Sequence, residues 1–247
     1  GLERFNRGVS VSERFDCLKV PMKKTSPYVI AIDGTSASGK STNAKLVASK
    51  LGFTYVDTGA MFRTLAWYCL KSRIDIHDPK AVAQLCKKWK TKLMCIEGKV
   101  RLLVDGYFPE SEIRTAETSA AVPHVAAVPK VREWMKLKQR DCIDFGSLVM
   151  EGRDIGTQIF PETEHKFYLD ANLAERSKRR EAEGVQEDLA KRDQRDSQRS
   201  TAPLMVPLGA LVVNTSGLSP EESCRLIIDA ITEKAPEIKE ACKNQAR

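Results

Sequence analysis

The stretch Gly34-Thr35-Ser36-Ala37-Ser38-Gly39-Lys40-Ser41-Thr42 decides the fold. Its first eight residues match G-x-x-x-x-G-K-[ST] in full. The setting matters more than the match. Residues 28–33 (YVIAID) form a short β-branched apolar run that ends abruptly in glycine, the pattern of a buried parallel strand. Residues 41–51 have helical spacing, with Leu46, Val47 and Leu51 on one side, and stop at Gly52. A strand, a glycine-rich loop and a helix in that order let backbone N–H groups curl around a phosphate, and the helix N-terminus adds a favourable dipole. Residues Gly34, Thr35, Ser36, Ala37, Ser38, Gly39, Lys40, Ser41 and Thr42 therefore read as a seat for the phosphates of a nucleoside triphosphate. Lys40 would reach the outer phosphates, and the Ser41 hydroxyl would sit on Mg²⁺. The loop predicts a nucleoside triphosphate and leaves the acceptor open.

Outward from the loop, strands alternate with helices. Residues 53–57, 148–151, 166–170 and 210–214 read as further buried strands, and 60–72, 128–142, 174–183, 186–200 and 220–233 as helices. The alternation predicts a three-layer α/β sandwich on a five-stranded parallel sheet. Between 74 and 113 the rhythm changes. A helix at 79–89 precedes two alternating segments, 92–96 and 100–105, around the turn Glu97-Gly98-Lys99. A hairpin inside a βα array predicts a small inserted lobe.

The chain has 247 residues, 42% hydrophobic and 30% charged, with a net charge of +7. That length supports a sizeable core, and the apolar content excludes a largely disordered chain. The best apolar stretches, 120–128 and 208–213, fall well short of the ~20 residues a membrane span needs. The basic balance favours an anionic partner, while 6% aromatic residues is thin for a base-stacking surface. Seven cysteines without a C-x-x-C pair, and three scattered histidines, argue against a disulfide framework or a zinc site. The expectation is a reduced, cytoplasmic protein that engages neither nucleic acid nor membrane. Residues 1–27 carry six basic and three acidic side chains without a sustained period, and are expected to be an extension, disordered or non-native. Met22 reads as a natural start, and a short ordered surface arm is the alternative.

Four clusters bear on the acceptor. Asp57-Thr58-Gly59-Ala60-Met61-Phe62-Arg63 lies at the carboxyl end of the second strand, the edge that faces the ligand crevice in such sheets. Glu151-Gly152-Arg153-Asp154-Ile155-Gly156-Thr157 again follows a buried strand and places a cation and an acceptor in the crevice. In Arg192-Asp193-Gln194-Arg195-Asp196-Ser197-Gln198-Arg199 the three arginines fall within about 60° on a helix. Such a run is ordinarily a solvated face, but three arginines on one narrow face repel one another until an anion arrives between them. Arg114 and Arg132 flank the helical stretch 115–131. Together the clusters point to phosphoryl transfer, in which cations do most of the catalysis. An acceptor that is itself a phosphate is already ionised and needs no general base, and no base constellation is evident. Glu151 and Asp33, at strand ends, are the candidates to support the metal beside Ser41.

The strings IDGTSASGKST, GFTYVDTGAMFR, EIRT, HVAAVPKVRE, EGRDIGT, FYLDA, RDQRDSQRSTAPL and TSGLS run in order from Ile32 to Ser219. In this combination the chain resembles the bacterial-type cytidylate (CMP/dCMP) kinase family, within the nucleoside monophosphate kinase superfamily of P-loop NTPases. The resemblance implies one kinase domain over 28–247, with a core at 28–72 and 114–247, an NMP-binding insert at about 73–113 and a mobile lid at about 184–200. It implies ATP-dependent, Mg²⁺-assisted phosphorylation of CMP and dCMP to CDP and dCDP by a monomer. By motif position, Thr58 and Arg63 would contact the CMP phosphate, Arg132 and Asp154 the cytosine, and Asp196 the ribose. Arg153, Arg192 and Arg199 would close on the transferring phosphoryl together with Lys40. Two positions depart from the family pattern: Phe62 stands where Tyr is common and Pro123 where Ser is expected, each removing a hydroxyl. The acidic residues expected near Gly209 and Asn214 are also absent. The alternatives are a P-loop kinase of another small metabolite and a non-catalytic ATP-binding module.

Overall fold

Strand β1, Val29–Gly34, is buried along its whole length and lies inside the sheet. The computed structural model describes residues 26–182, 184 and 188–238; residues 1–25 of the expected extension and 185–187 of the expected lid lie outside the described residues. β1 pairs in parallel with β5 (Leu148–Glu151) on one side and β6 (His165–Asp170) on the other. β2 (Thr54–Asp57) pairs with β5, and β7 (Leu211–Asn214) with β6, all in parallel.

The sheet does not stop at five. The hairpin β3 (Thr91–Ile96) and β4 (Lys99–Val104) extends it to seven strands among the described residues, in the order β3-β4-β2-β5-β1-β6-β7. The hairpin therefore continues the sheet. Glu97 and Gly98 both take positive φ, as a two-residue turn between twisted strands requires. The Tyr55 amide donates to Gly98 O at 2.8 Å, so the otherwise unpaired edge of β2 is covered. Val100, Leu102 and Val104 alternate inward and join the same apolar layer as Ala31, Val56 and Met150.

Helices cover both faces. α1 (Lys40–Leu51) and α8 (Pro220–Lys234) pack Val47, Leu51, Ile227 and Ile231 against Ile30, Ile32, Val149, Leu169 and Val213. On the other face α2 (Thr58–Lys71), α4 (Ala116–Ala126) and α5 (Pro129–Asp141) bury Met61, Leu65, Val125, Val131 and Met135. α3 (Pro79–Lys88) leads into the hairpin. Local signals set the ends: α1 stops at Gly52 in the left-handed region, Asp57 caps α2, and Ser219 with Glu222 forms a capping box on α8. The expected helical stretch 115–131 is two helices. Pro129 holds Val128 extended, so α4 ends before it and α5 starts on the proline.

After β6 the chain forms α6 (Leu173–Ala182) and α7 (Leu189–Ser197). The expected helix 186–200 is thus shorter at its C-terminal end, and Arg199 lies beyond it; of the three arginines, only Arg192 and Arg195 are on the helix. No helix among the described residues is long and apolar enough to cross a membrane.

Candidate active site

The loop after β1 is shaped from outside by its carbonyls. Thr35 O accepts from the Ser38 hydroxyl at 2.9 Å and from Lys40 Nζ. Ser36 O accepts from Arg176 Nη1 at 3.2 Å, Ala37 O from Arg179 Nη1 at 3.2 Å, and Ser38 O from Thr215 Oγ1 at 2.9 Å. The Thr35 hydroxyl donates to Asp170 at 2.7 Å, and Arg180 Nη2 to Ser36 Oγ at 3.0 Å. With the carbonyls held outward, the amides at the head of α1, which have no intrahelical acceptor, form a concave anion site. Gly34 (φ 148°) is obligatory, because a Cβ there would meet Leu169 O at 1.9 Å. Gly39 (φ 86°) turns the chain into α1, where Asn43 Nδ2 donates to its carbonyl at 3.0 Å. Thr42 is exposed on the first turn of α1.

Lys40 is buried beneath this loop. Burial first, and then Arg153, push its ammonium well below the usual lysine range, an environment that an incoming phosphate would reverse. Ser41 Oγ donates to Glu151 Oε2 at 2.8 Å, while the Tyr55 hydroxyl donates to Oε1 of the same carboxylate. Burial raises the Glu151 carboxyl, reinforced by nearby Asp57. Of the two carboxylates at strand ends, Glu151 is thus the one on Ser41. Asp33 instead accepts from the amides of Ile155 at 2.8 Å and Gly156 at 2.7 Å, which fixes the loop after β5.

That loop carries the second group of site residues. Arg153 Nη1 donates to Gly34 O at 2.7 Å and Nε to Asp196 at 2.8 Å, so one guanidinium spans the glycine-rich loop and the end of α7. Arg199 Nη2 donates to the other oxygen of Asp196. Burial alone would raise Asp196, but Arg153 and Arg199 hold its carboxyl below the usual range. Arg192 acts electrostatically on both Lys40 and Asp196. Asp154 pairs with Arg132 Nη1 at 3.2 Å, both buried; burial raises the Asp154 carboxyl and Arg132 opposes it. Arg132 Nε donates to Ala126 O at 2.9 Å, and its guanidinium lies over the Phe62 ring at 5.2 Å. Thr58 Oγ1 donates to Glu151 O at 2.7 Å, and Arg63 Nη2 to Asp57 at 2.9 Å.

The fold therefore brings Lys40, Ser41, Thr58, Arg132, Arg153, Asp154, Arg192, Asp196 and Arg199 to the carboxyl edge of the sheet, with Arg63 at the margin on Asp57. Arg114 stays exposed on the turn Glu112–Arg114, and Arg195 is exposed on α7. Sequence reasoning missed Tyr55, Asp170, Arg176, Arg179, Arg180, Asp193 and Thr215, all of which shape the loop or its carboxylate. The signal for three of them was present, since Arg176, Arg179 and Arg180 recur at i, i+3 and i+4 and so share one helix face.

A family profile described as "Cytidylate kinase" matches residues 30–233. A cytidylate kinase of Caldanaerobacter subterraneus is 39% identical over 213 residues, covering 82% of this chain and 93% of that one. A cytidylate kinase of Bacillus subtilis is 38% identical over 217 residues, covering 83% and 97%. The matched span contains every site residue described above, from Gly34 to Arg199, and on this agreement the chain belongs to the cytidylate kinase family.

Proposed function

We propose that this protein is a P-loop kinase that transfers the γ-phosphoryl group of ATP to CMP and dCMP, giving ADP with CDP and dCDP. The observation that carries the reading is the position of Arg153, bonded at once to Gly34 O and to Asp196. A cation there faces the donor loop on one side and the segment bearing Arg192 and Arg199 on the other. The acceptor phosphate oxygen attacks the γ-phosphorus and ADP leaves with its β-phosphate charge, so negative charge must be gathered and held. Lys40, Arg153, Arg192 and Arg199 supply the positive charge, and the loop Gly34 to Thr42 seats the donor phosphates. Thr58 and Arg63 receive the CMP phosphate, Arg132 and Asp154 read the cytosine, and Asp196 takes the ribose once Arg153 and Arg199 turn to phosphate. Both oxygens of Asp33 accept amides, and Asp154 lies against Arg132, which agrees with an acceptor that needs no base.

The Ser41 hydroxyl and the Glu151 carboxylate, 2.8 Å apart, are hard oxygen donors of the kind that suits Mg²⁺. These two residues would hold the ion, which would offset the negative charge of the donor phosphates. The remaining parts of the reading are a core at 28–72 and 114–247, an acceptor-side insert at about 73–113, a lid at about 184–200, and a cytoplasmic monomer. The test is ADP release with ATP and Mg²⁺ against CMP, dCMP, UMP, AMP and GMP. Turnover highest with CMP and dCMP is the expected result; indifference to every monophosphate overturns it.

A further inference from the structure

Asp193 lies one residue from Arg192 and is not used in the reaction described above. Its Oδ1 accepts the backbone N–H of Ser36 at 3.2 Å, and its Oδ2 is paired with Arg176, which is itself buried. Ser36 is the third residue of the glycine-rich loop, and all three of its polar groups are taken by side chains of α6 and α7. Its amide goes to Asp193, its carbonyl to Arg176 at 3.2 Å, and its hydroxyl to Arg180 at 3.0 Å. The carbonyl and hydroxyl contacts shape the loop and are compatible with a nucleotide. The amide contact is different in kind, because amides of such a loop are donors for phosphate oxygens.

We propose that Asp193 is an internal occupant of the donor site, a carboxylate that takes a phosphate's place on the loop and must be displaced when the triphosphate seats. One N–H cannot serve a carboxylate and a phosphate oxygen together, and two anions at that distance repel. Arg176 stays behind when Asp193 leaves. Its Nε is bonded to Ala171 O at 3.0 Å and its Nη1 to Ser36 O, so the displaced carboxylate uncovers a fixed cation beside the arriving phosphate. Asp193 also shares α7 with Arg192 and Asp196. Its release therefore removes one anchor of α7 and leaves the other, Asp196 on Arg153, so donor binding is linked to the segment that bears Arg192. Asp193 thus sets donor affinity by competition.

The inference rests on the kinase reading, and the test separates the two. Inorganic tripolyphosphate, which has no base or ribose, and ATP are each titrated calorimetrically with Mg²⁺ into the full chain, Asp193→Ala and Asp193→Asn. If the occupied form accounts for about four-fifths of the molecules, removing it tightens both ligands about fivefold. Asp193→Asn keeps the shape and an acceptor oxygen but loses the charge, and should fall between. Equal or weaker binding of both probes by both variants overturns the proposal and makes the contact a clasp that merely holds α7. Should Asp193→Ala fail to fold, the isosteric Asp193→Asn decides alone by the same criterion. Wild-type turnover with CMP, measured on the same preparation, tells a failure of this inference from a failure of the kinase reading.

Discussion

Ser41 and Glu151 share one hydrogen bond of 2.8 Å across the carboxyl edge of the sheet, joining the head of α1 to the end of β5. The Tyr55 hydroxyl closes the other side of the carboxylate. A serine hydroxyl and an acid are thereby held together at the head of α1, the pair proposed above to support Mg²⁺.

Glu151→Gln keeps the shape of that contact and removes its charge. The half-saturating Mg²⁺ concentration for turnover should rise about tenfold, the scale at which groups supporting a bound metal act. A Mg²⁺ titration of activity at fixed ATP and CMP checks it, with an unchanged midpoint as the contrary result.

Lys40→Ala removes the buried ammonium under the loop. Turnover should fall by about 10²-fold or more, the cost of losing one donor aimed at transition-state charge. Circular dichroism should stay native, because Ser38 Oγ continues to hold Thr35 O. Full activity would break the assignment of the loop.

Arg199→Ala tests the far side. Arg199 lies beyond α7 and bonds Asp196, away from the carbonyls that shape the loop. Turnover should drop about 10²-fold while the ATP dissociation constant moves by less than about threefold. Rapid-quench turnover beside calorimetric ATP binding separates the two quantities.

Asp33 gives stability a pH dependence of unusual sign for an aspartate. Burial pushes its carboxyl up to about 7, against two amide hydrogen bonds that pull it down. Between pH 4 and 7 the folded state therefore holds a proton that the unfolded chain has lost. Stability contributed by this site is full below the ordinary carboxylate pKa and declines as pH rises through that window, by on the order of 4 kcal/mol in total. The unfolding free energy of wild type minus that of Asp33→Asn, taken with its sign and measured in urea from pH 4 to 8, should fall with pH and level off above 7. A difference that grows with pH would contradict the assignment.

The five expected strands were legible as apolar runs, and each lies within about one residue of its expected bounds. β7, however, is not the buried strand its run suggested: only Val213 is covered, because β7 lies at the edge of the sheet. The hairpin was legible too, through Glu97-Gly98. Its docking on β2 was not, since a strand's lateral neighbour leaves no local mark; in the ladder between them Tyr55 of β2 is paired with Lys99 of β4. The break between α4 and α5 was marked by Pro129 and outweighed by the apolar run around it. Arg153 and Asp196, 43 positions apart, were each named as site residues, yet their bond is a product of the fold. The grip of Arg176 on Ser36 spans 140 positions. Charge on a helix face reads as solvated until the partner is placed against it. Asp33 and Glu151 looked equivalent at strand ends, and only the direction of the loop after β5 separates them.

The continuity of the sheet through the hairpin has a mechanical side. Tyr55 offers its amide to Gly98 and its hydroxyl to Glu151, so the hairpin and the carboxylate beside Ser41 hang on the same residue. A swing of the hairpin would strain β2 and drag on Glu151. The wall that bears Thr58 and Arg63 is thus braced by seven strands, whereas Asp196 and Arg199 are tied across the cleft by side chains alone. Closure of the cleft would therefore move the wall tied by side chains and leave the wall braced by strands in place.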